Sequence, residues 1–165
     1  MQAPSGNKPI TGGLTSRLSE LGIALPAPPT PLGAYVESSD TGNLLFLSGI
    51  LPVENRKLAI SGRLGENLSV QQGQVAAGVA SLNALAAANQ HLGGLDRLRK
   101  LVKLTVLIAT TEQFVDHAPV ADGASKIFVQ IFGPEAGHTR LVYGVHSLPL
   151  GAPVIVDCIF EIKPA

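Results

Sequence analysis

Cysteine and large aromatic side chains are nearly absent from this chain. It has no tryptophan and one cysteine, and aromatic residues make up only 4% of its 165 residues. The lone cysteine, Cys158, excludes an intramolecular disulfide, and a core with few rings has to be packed from Val, Leu, Ile and Ala. No uninterrupted apolar run approaches the ~20 residues that a membrane-spanning helix needs, so we expect no membrane partner.

Charge is also scarce, and the 12 basic and 12 acidic residues balance to a net charge of zero. The basic residues form no stripe interleaved with aromatics, which argues against nucleic-acid binding. Four histidines, at positions 91, 117, 138 and 146, lack the spacing of metal ligands, so we expect no metal and no other cofactor. The polar first residues contain no apolar signal-peptide core, and a cytoplasmic protein is the expectation.

The first third of the chain is divided by its glycines and prolines. Residues 1–12 are polar and rich in Gly and Pro, which predicts a flexible N-terminal arm ahead of one domain over 13–165. Leucines at helical spacing over 14–23, with Gly22 near the end, predict a short amphipathic helix. Four prolines within 24–33 exclude helix and central strand, and predict an extended connector.

The remaining segments alternate between strand-like and helical patterns. Ser69 and Gln72 form a capping box at the start of one helix, and a long strand that is apolar on both faces is typical of the centre of a sheet. The predicted elements, in chain order, are a three-stranded antiparallel meander (34–39, 43–50 and 56–62), a helix from 69 to the Gly93-Gly94 pair, a central strand (99–110), a second helix (119–133) and a closing hairpin (137–162).

This order predicts an α+β fold with one mostly antiparallel sheet and two long helices on one face. The chain has no third long helix to cover the other face of the sheet. Hydrophobic residues make up 45% of the chain and charged residues only 15%, so we expect the uncovered face to be buried in an oligomer. A compact monomer with an aliphatic core is the alternative.

Two residues of the last segment, GHTRLVYGVHSLPLGAPVIVDCIFEI, have side chains that could carry chemistry. Arg140 heads an apolar strand; it is either a surface residue paired with an acid such as Glu135 or a fork that binds a ligand carboxylate through two hydrogen bonds. Cys158 lies in mid-strand, where a buried small hydrophobic residue is the alternative to a nucleophile.

The same segment resembles the C-terminal signature of the YjgF/RidA family of enamine/imine deaminases, in which eight positions separate an arginine from a Leu-Pro pair that precedes a strand. Two further segments, GAYVESSDTGNLLFLSGILP (33–52) and LVKLTVLIATTEQF (101–114), are similar to family motifs. VADGASKIF and GHTR resemble a variant subgroup more than the founding deaminases. The resemblance covers nearly all of 33–162.

The resemblance implies a chorismate-mutase-like fold, a homotrimer, and a cleft at each subunit interface that binds small carboxylic acids of the 2-oxo or 2-imino type. Matched to the family motifs, Arg140 is the carboxylate clamp, Tyr35 lines the cleft, and Ser48 and Gly49 form its floor. The backbone near Val142 offers an amide or carbonyl to the ligand.

Two departures from the family pattern bear on activity. The family glutamate that orients water corresponds to Ile155 here, and Asp157, two residues further along the same strand face, is the substitute we consider. The family's cleft asparagine is also missing; its nearest counterparts are Ala121 and Asp122. Hydrolysis of 2-enamino or 2-imino acids to 2-oxo acids and ammonia is the predicted function. A trimer that binds carboxylates without turnover is the first alternative, and an endoribonuclease, disfavoured by the neutral charge, is the second.

Overall fold

The structure is a computed structural model that describes residues 12–164. The predicted arm over 1–12 lies outside the described residues except for Gly12. The helices are α1 (Leu14–Glu20), α2 (Val70–Leu92) and α3 (His117–Phe132), and the strands are β1 (Ser38–Thr41), β2 (Leu44–Leu47), β3 (Val53–Glu54), β4 (Lys57–Leu58), β5 (Leu98–Ala109), β6 (Thr139–Val145) and β7 (Val154–Ile162).

Five strands form one sheet in the order β1-β2-β7-β5-β6. Every neighbouring pair is antiparallel except β5 and β6, which run parallel. The α+β class, the mostly antiparallel sheet and the interior position of the long apolar strand, now β5, are therefore confirmed. β5 has a neighbouring strand on each edge, and five of its six residues from Leu104 to Ala109 are buried, which agrees with its weak alternation between apolar and polar residues.

The predicted closing hairpin is wrong. β6 and β7 are consecutive in sequence, but β5 lies between them and pairs with both. The local sequence marks the Leu-Pro-Leu-Gly-Ala-Pro connection as a turn, but it does not show which strands that turn joins. Leu150 at φ +60° and Gly151 at φ +77° do turn the chain there, and they direct it across β5 to its other edge.

The predicted meander is correct only for its first two strands. β1 pairs with β2, but the segment 56–62 does not join the sheet, because β2 uses its second edge to pair with β7. Instead β4 pairs with β3 in a separate two-stranded ribbon. Asn55 and Arg56, at φ +50° and +64°, provide the two left-handed residues that such a tight ribbon turn requires.

Both long helices lie on one face of the sheet. On β7, every second residue from Val154 to Ile162 is fully buried, whereas Asp157, Ile159 and Glu161 between them are only partly buried. The buried set contacts the helices: the rings of Phe128 and Phe132 in α3 pack against Phe160. On β1, the side chain of Asp40 points to this helix-covered face and hydrogen-bonds to His91 of α2. We call the opposite surface the helix-free face.

The ends of the helices follow the predicted signals. The capping box is present, with Ser69 accepting from the Gln72 amide and the Gln72 side chain accepting from the Ser69 amide. Gly93 ends α2 in the left-handed conformation at φ +67°. α3 ends at Phe132, one residue before the predicted end at Gly133, which is its C-cap, and it begins at His117 instead of 119. A proline is tolerated in the first turn because its missing N–H would have no intrahelical acceptor.

α2 and α3 pack closely and run in the same direction. The side chain of Gln74 donates to the carbonyl of Pro119 at 2.8 Å, and Gly123 sits directly against the backbone of Gln74. α2 buries a face of small residues, mainly alanines, whereas Val75 is 58% exposed in the single chain. Small residues on both helices allow the backbones to approach.

The helix-free face carries exposed apolar side chains on two strands, β2 and β6. Phe46 on β2 is 39% exposed, and Leu141 and Tyr143 on β6 are 47% and 44% exposed. An apolar sheet face without a covering layer is typical of a surface that packs against another subunit.

Within residues 12–164, none of the helices has the length and hydrophobicity to cross a bilayer.

Candidate functional site

Arg140 lies on the edge strand β6, on the face that the helices cover. Its pairing partner on β5 is Leu104, which is fully buried under the helices. One guanidinium nitrogen, Nη1, donates to Asp122 Oδ1 at 2.7 Å and to Ser125 Oγ at 3.1 Å, both on α3. Asp122, and not Glu135, is therefore the acid that pairs with Arg140. The side chain of Arg140 is 25% exposed.

A hydrogen-bond relay connects Arg140 with a histidine. Ser125 Oγ lies 3.0 Å from His138 Nε2, and because arginine can only donate, Ser125 accepts from Arg140 and has its proton free for His138. Burial and the positive charge of Arg140 lower the pKa of His138, which keeps the ring neutral and able to accept that proton. We call Asp122, Ser125, His138 and Arg140 the arginine cluster.

The other edge of the guanidinium remains open. Nε and Nη2 of Arg140 have no hydrogen-bond partner among residues 12–164. Asp122 and Ser125 thus hold the plane of the guanidinium through Nη1 and leave a second pair of donors free. Two parallel donors match the spacing of two carboxylate oxygens.

A second candidate surface lies beside β1 and β2, at the other edge of the sheet from β6. A cavity of about 1010 Å³ is lined by Tyr35, Glu37 and Gly49, by prolines of the connector, and by the β3–β4 ribbon. The Tyr35 hydroxyl accepts from the Leu32 amide at 3.0 Å, which fixes the ring against the connector. We call this space the Tyr35 cavity; it contains two of the residues that the family motifs assign to the cleft.

Ser48 precedes the cavity-lining Gly49 but is not itself among the lining residues; it is held against the segment before β1. Its hydroxyl donates to the Val36 carbonyl at 2.6 Å, and its amide donates to the Glu37 carbonyl at 2.9 Å. A Cβ on Gly49 would lie 3.0 Å from Cγ2 of Ile155, so a side chain there would press against the position that corresponds to the family glutamate. Ile155 is itself buried.

One chain does not bring the two surfaces together. Ile50, which follows Gly49, is the first residue of a row that crosses the sheet. It pairs with Val156 of β7, and that residue pairs with Val106 of β5. Val106 in turn pairs with Val142 on β6. Three strand spacings separate the ends of this row, or about 14 Å. The arginine cluster also lies on the helix-covered face, whereas Gly49 packs toward Ile155 on the helix-free face. A small ligand that touches both surfaces requires two copies of the chain.

Asp157 lies on the helix-free face, paired with Thr105 of β5. Burial raises the pKa of Asp157, and the charge of Lys103 partly offsets that effect. Asp157 is not among the residues that line the Tyr35 cavity. Its neighbour Cys158 is completely buried on the helix side, and burial raises the pKa of the thiol well above its usual value, which fits a packing residue and not a nucleophile.

The sequence interpretation did not identify Glu37, Ser125 or His138. Each had a spacing signal: Glu37 follows Tyr35 by two positions, which places both on one side of an extended segment. Ser125 follows Asp122 by three positions on one helix face, and His138 precedes Arg140 by two. No group of three or more His, Cys, Asp or Glu side chains within residues 12–164 is arranged to hold a metal ion.

Comparison with known proteins identifies the class to which this fold and site belong. A family model described as "YjgF/chorismate_mutase-like, putative endoribonuclease" matches residues 15–162. Protein TCP17 of Trypanosoma cruzi is 38% identical over 93% of this chain and 96% of its own length. The chain belongs to the YjgF/RidA family.

Solved structures divide into close and distant relatives of this fold. Atu1372 of Agrobacterium tumefaciens, a protein of unknown function, is 36% identical, covers 92% of each chain and superposes with a TM-score of 0.82. E. coli TdcF with bound serine is 21% identical over 84% of this chain and 94% of its own, with a TM-score of 0.55, which shows a shared fold only. The higher identity and TM-score of Atu1372 compared with TdcF agree with the prediction that this chain belongs to a variant subgroup.

We expect Asp122→Asn to tighten the binding of a small carboxylate such as 2-oxobutanoate by ~5-fold. The amide oxygen keeps the hydrogen bond from Arg140, while removal of a negative charge a few ångströms from the ligand is worth about 1 kcal/mol when water screens the two charges, as it does at the half-exposed Asp122. Isothermal titration calorimetry measures the change. Asp116→Asn is the control, because Asp116 precedes the same helix as its N-cap residue, is exposed, and has neither a capping hydrogen bond nor an ion pair among the described residues. Weaker binding by Asp122→Asn would mean that the aspartate charge itself is needed to hold Arg140.

Proposed function

We propose that this chain forms a cytoplasmic homotrimer that hydrolyses 2-enamino and 2-imino acids to 2-oxo acids and ammonia in clefts between subunits. Each cleft would combine the arginine cluster of one subunit with the Tyr35 cavity of the next. The observation that carries the proposal is the open edge of Arg140, whose Nη1 alone is used by Asp122 and Ser125.

The separation of the two surfaces supports the intersubunit position of the cleft. Arg140 and Val142 lie on β6, three strands away from Gly49, so an oligomer is the arrangement in which they can share a ligand. The exposed apolar side chains of the helix-free face supply a surface for that association.

In this proposal Arg140 binds the substrate carboxylate, and Tyr35, Ser48 and Gly49 enclose the rest of the molecule. Water adds to the electrophilic C=N carbon and ammonia leaves. Positioning the substrate and stabilising its charge contribute most of the acceleration, because an iminium carbon is already reactive toward water. The serine bound by TdcF is itself a small carboxylic acid, which agrees with this ligand class.

A specific observation favours one alternative. The position of the family glutamate is the buried, apolar Ile155, and a chain that has lost the residue that orients water is a candidate for a binding protein without turnover. The description of the family model also names endoribonuclease activity, but a net charge of zero provides no electrostatic attraction for RNA.

The trimer can be tested by mass. Light scattering at micromolar concentration should give about three times the 17.1 kDa of one chain, because the helix-free face and the incomplete cleft both require partners. Leu141→Glu, which places a charge on that face, should shift the mass toward a single chain. A wild-type protein of 17.1 kDa would remove the intersubunit cleft.

Hydrolysis can be tested with an imine made in place. Threonine dehydratase releases 2-aminocrotonate and its 2-imino tautomer, and semicarbazide traps the imine as a chromophore. Wild-type protein should reduce the rate of semicarbazone formation in proportion to its concentration, and heat-denatured protein should not. Binding of 2-oxobutanoate without any change in trapping would establish the binding protein and reject the hydrolase.

A further inference from the structure

The Tyr35 cavity contains a carboxyl group with no assigned task. Two acidic residues line the cavity, Glu37 and Glu54. Glu54 is exposed on the β3–β4 ribbon, whereas Glu37 is half-buried. The Glu37 carboxylate has no hydrogen bond or ion pair with any of residues 12–164. A half-buried carboxyl without a partner in a cavity is a candidate for contact with a ligand.

The backbone fixes Glu37 beside the floor of the cavity. Its carbonyl accepts from the Ser48 amide at 2.9 Å, and the hydroxyl of Ser48 reaches back to the preceding residue, Val36, at 2.6 Å. Asp40 points toward α2, where it meets His91. Glu37 directly precedes β1, and the hydrogen bond from the Ser48 amide continues the β1–β2 pairing to it. Alternation along this extension places Glu37 on the face opposite to Asp40, which is the helix-free face on which Ile155 and Asp157 lie.

The electrostatic surroundings suit proton exchange. Burial raises the pKa of Glu37, which moves it toward neutral pH, where a carboxyl group can both accept and donate protons. The other charged or titratable groups around the cavity are Tyr35 and, on the ribbon, Glu54, Arg56 and Lys57. None of them forms an ion pair with Glu37.

We propose that Glu37 is the acid–base residue of the cleft, taking the position in the chemistry that a glutamate at 155 has elsewhere in the family. This inference rests on the proposed hydrolysis. The oxygen of the attacking water bonds to the C=N carbon of the iminium, and the Glu37 carboxylate takes one proton from that water. The products of this step are a neutral carbinolamine and a protonated Glu37. Glu37 then returns that proton to the nitrogen. The C–N bond breaks, the carbinolamine hydroxyl becomes the C=O, and the hydroxyl proton leaves with ammonia as ammonium.

The test compares Glu37→Gln with two matched carboxyl variants in the semicarbazide assay. Glu37→Gln should lose ~100-fold in kcat/KM, the usual effect of removing a positioned acid–base group. Glu112→Gln is the control, because it removes an exposed carboxyl that does not line the Tyr35 cavity; it should stay within ~3-fold of wild type. Asp157→Asn tests the rival half-buried carboxyl of the same face, and if Glu37 transfers the proton its rate should stay in the same range. The wild-type rate should fall as the pH decreases through the raised pKa of Glu37, since the carboxylate is the active form, and this acid limb should be absent in Glu37→Gln.

A second measurement, independent of turnover, is the affinity for 2-oxobutanoate as a function of pH. Wild type should bind more tightly as pH decreases, because a protonated Glu37 donates to the 2-oxo oxygen and no longer repels the anion; any part due to His138 remains in Glu37→Gln. An active wild type with Glu37→Gln within ~3-fold and an unchanged pH profile would overturn the role of Glu37 and leave the hydrolase intact. A larger loss in Asp157→Asn would assign the proton transfer to Asp157. An inactive wild type would reject the hydrolase and the proton transfer together.

Discussion

Gly123→Ala is expected to destabilise the fold by about 3 kcal/mol, at the upper end of the usual cost of overpacking a core. A Cβ at this position would lie 2.6 Å from Cα of Gln74 and closer still to its carbonyl oxygen. The obstacle is the backbone of α2, which cannot rotate away as a side chain can. α3 would have to move away from α2, and it would carry Asp122 and Ser125 with it.

The matched control for this prediction lies on the facing helix. A Cβ on Gly78 would meet Gly123 O and Ile127 Cγ1 at 3.8 Å, an ordinary contact distance. Gly78→Ala should therefore stabilise the protein by about 0.5–1 kcal/mol, because alanine loses less backbone entropy in a helix than glycine. Thermal unfolding at one fixed protein concentration distinguishes the two. Equal melting temperatures for both variants would show that α2 and α3 are not in such close contact.

Arg140→Ala is expected to abolish carboxylate binding and, with it, hydrolysis. Loss of a charge-assisted pair of hydrogen bonds in a partly buried site costs about 2–4 kcal/mol, which corresponds to ~30- to 1000-fold in affinity. Arg140→Lys keeps the charge but lacks the planar fork, so it should recover only part of the affinity. The affinities of each protein for 2-oxobutanoate and for its amide are measured by titration. Because the two ligands have the same shape, the difference between their affinities reports the contribution of the carboxylate charge.

The control for Arg140 is Arg99→Ala, which removes an exposed arginine of β5 that pairs with Glu161 at 3.2 Å. Binding should stay within ~2-fold of wild type, because an exposed ion pair contributes little and lies far from the cluster. If wild type binds acid and amide equally, Arg140 does not bind a carboxylate and the ligand class must be revised.

Local signals in the sequence predicted the helices well because they depend on neighbouring residues. The Ser69 capping box and the glycines after α2 and α3 describe chain ends that satisfy their own hydrogen bonds. The interior position of β5 was also predictable, since its residues are apolar on both faces.

The pairing of the other strands was not predictable in this way. Which strand lies next to which is decided by contacts between residues far apart in sequence, so β5 could insert between β6 and β7 without a local sign. The site shows the same division. Arg140 was identified through family motifs, but Glu37 became a candidate only when the structure placed it in a cavity with Tyr35 and Gly49.

The strand order has a consequence for biosynthesis. β7, the last strand of the sheet to be translated, occupies an interior position between β2 and β5. Until residues 154–162 have left the ribosome, β1 and β2 have no edge to join, and both α2 and α3 lack the strand that carries Phe160. The apolar residues of these elements therefore stay exposed until β7 is available, and exposed apolar surface of this kind makes a nascent chain prone to aggregation.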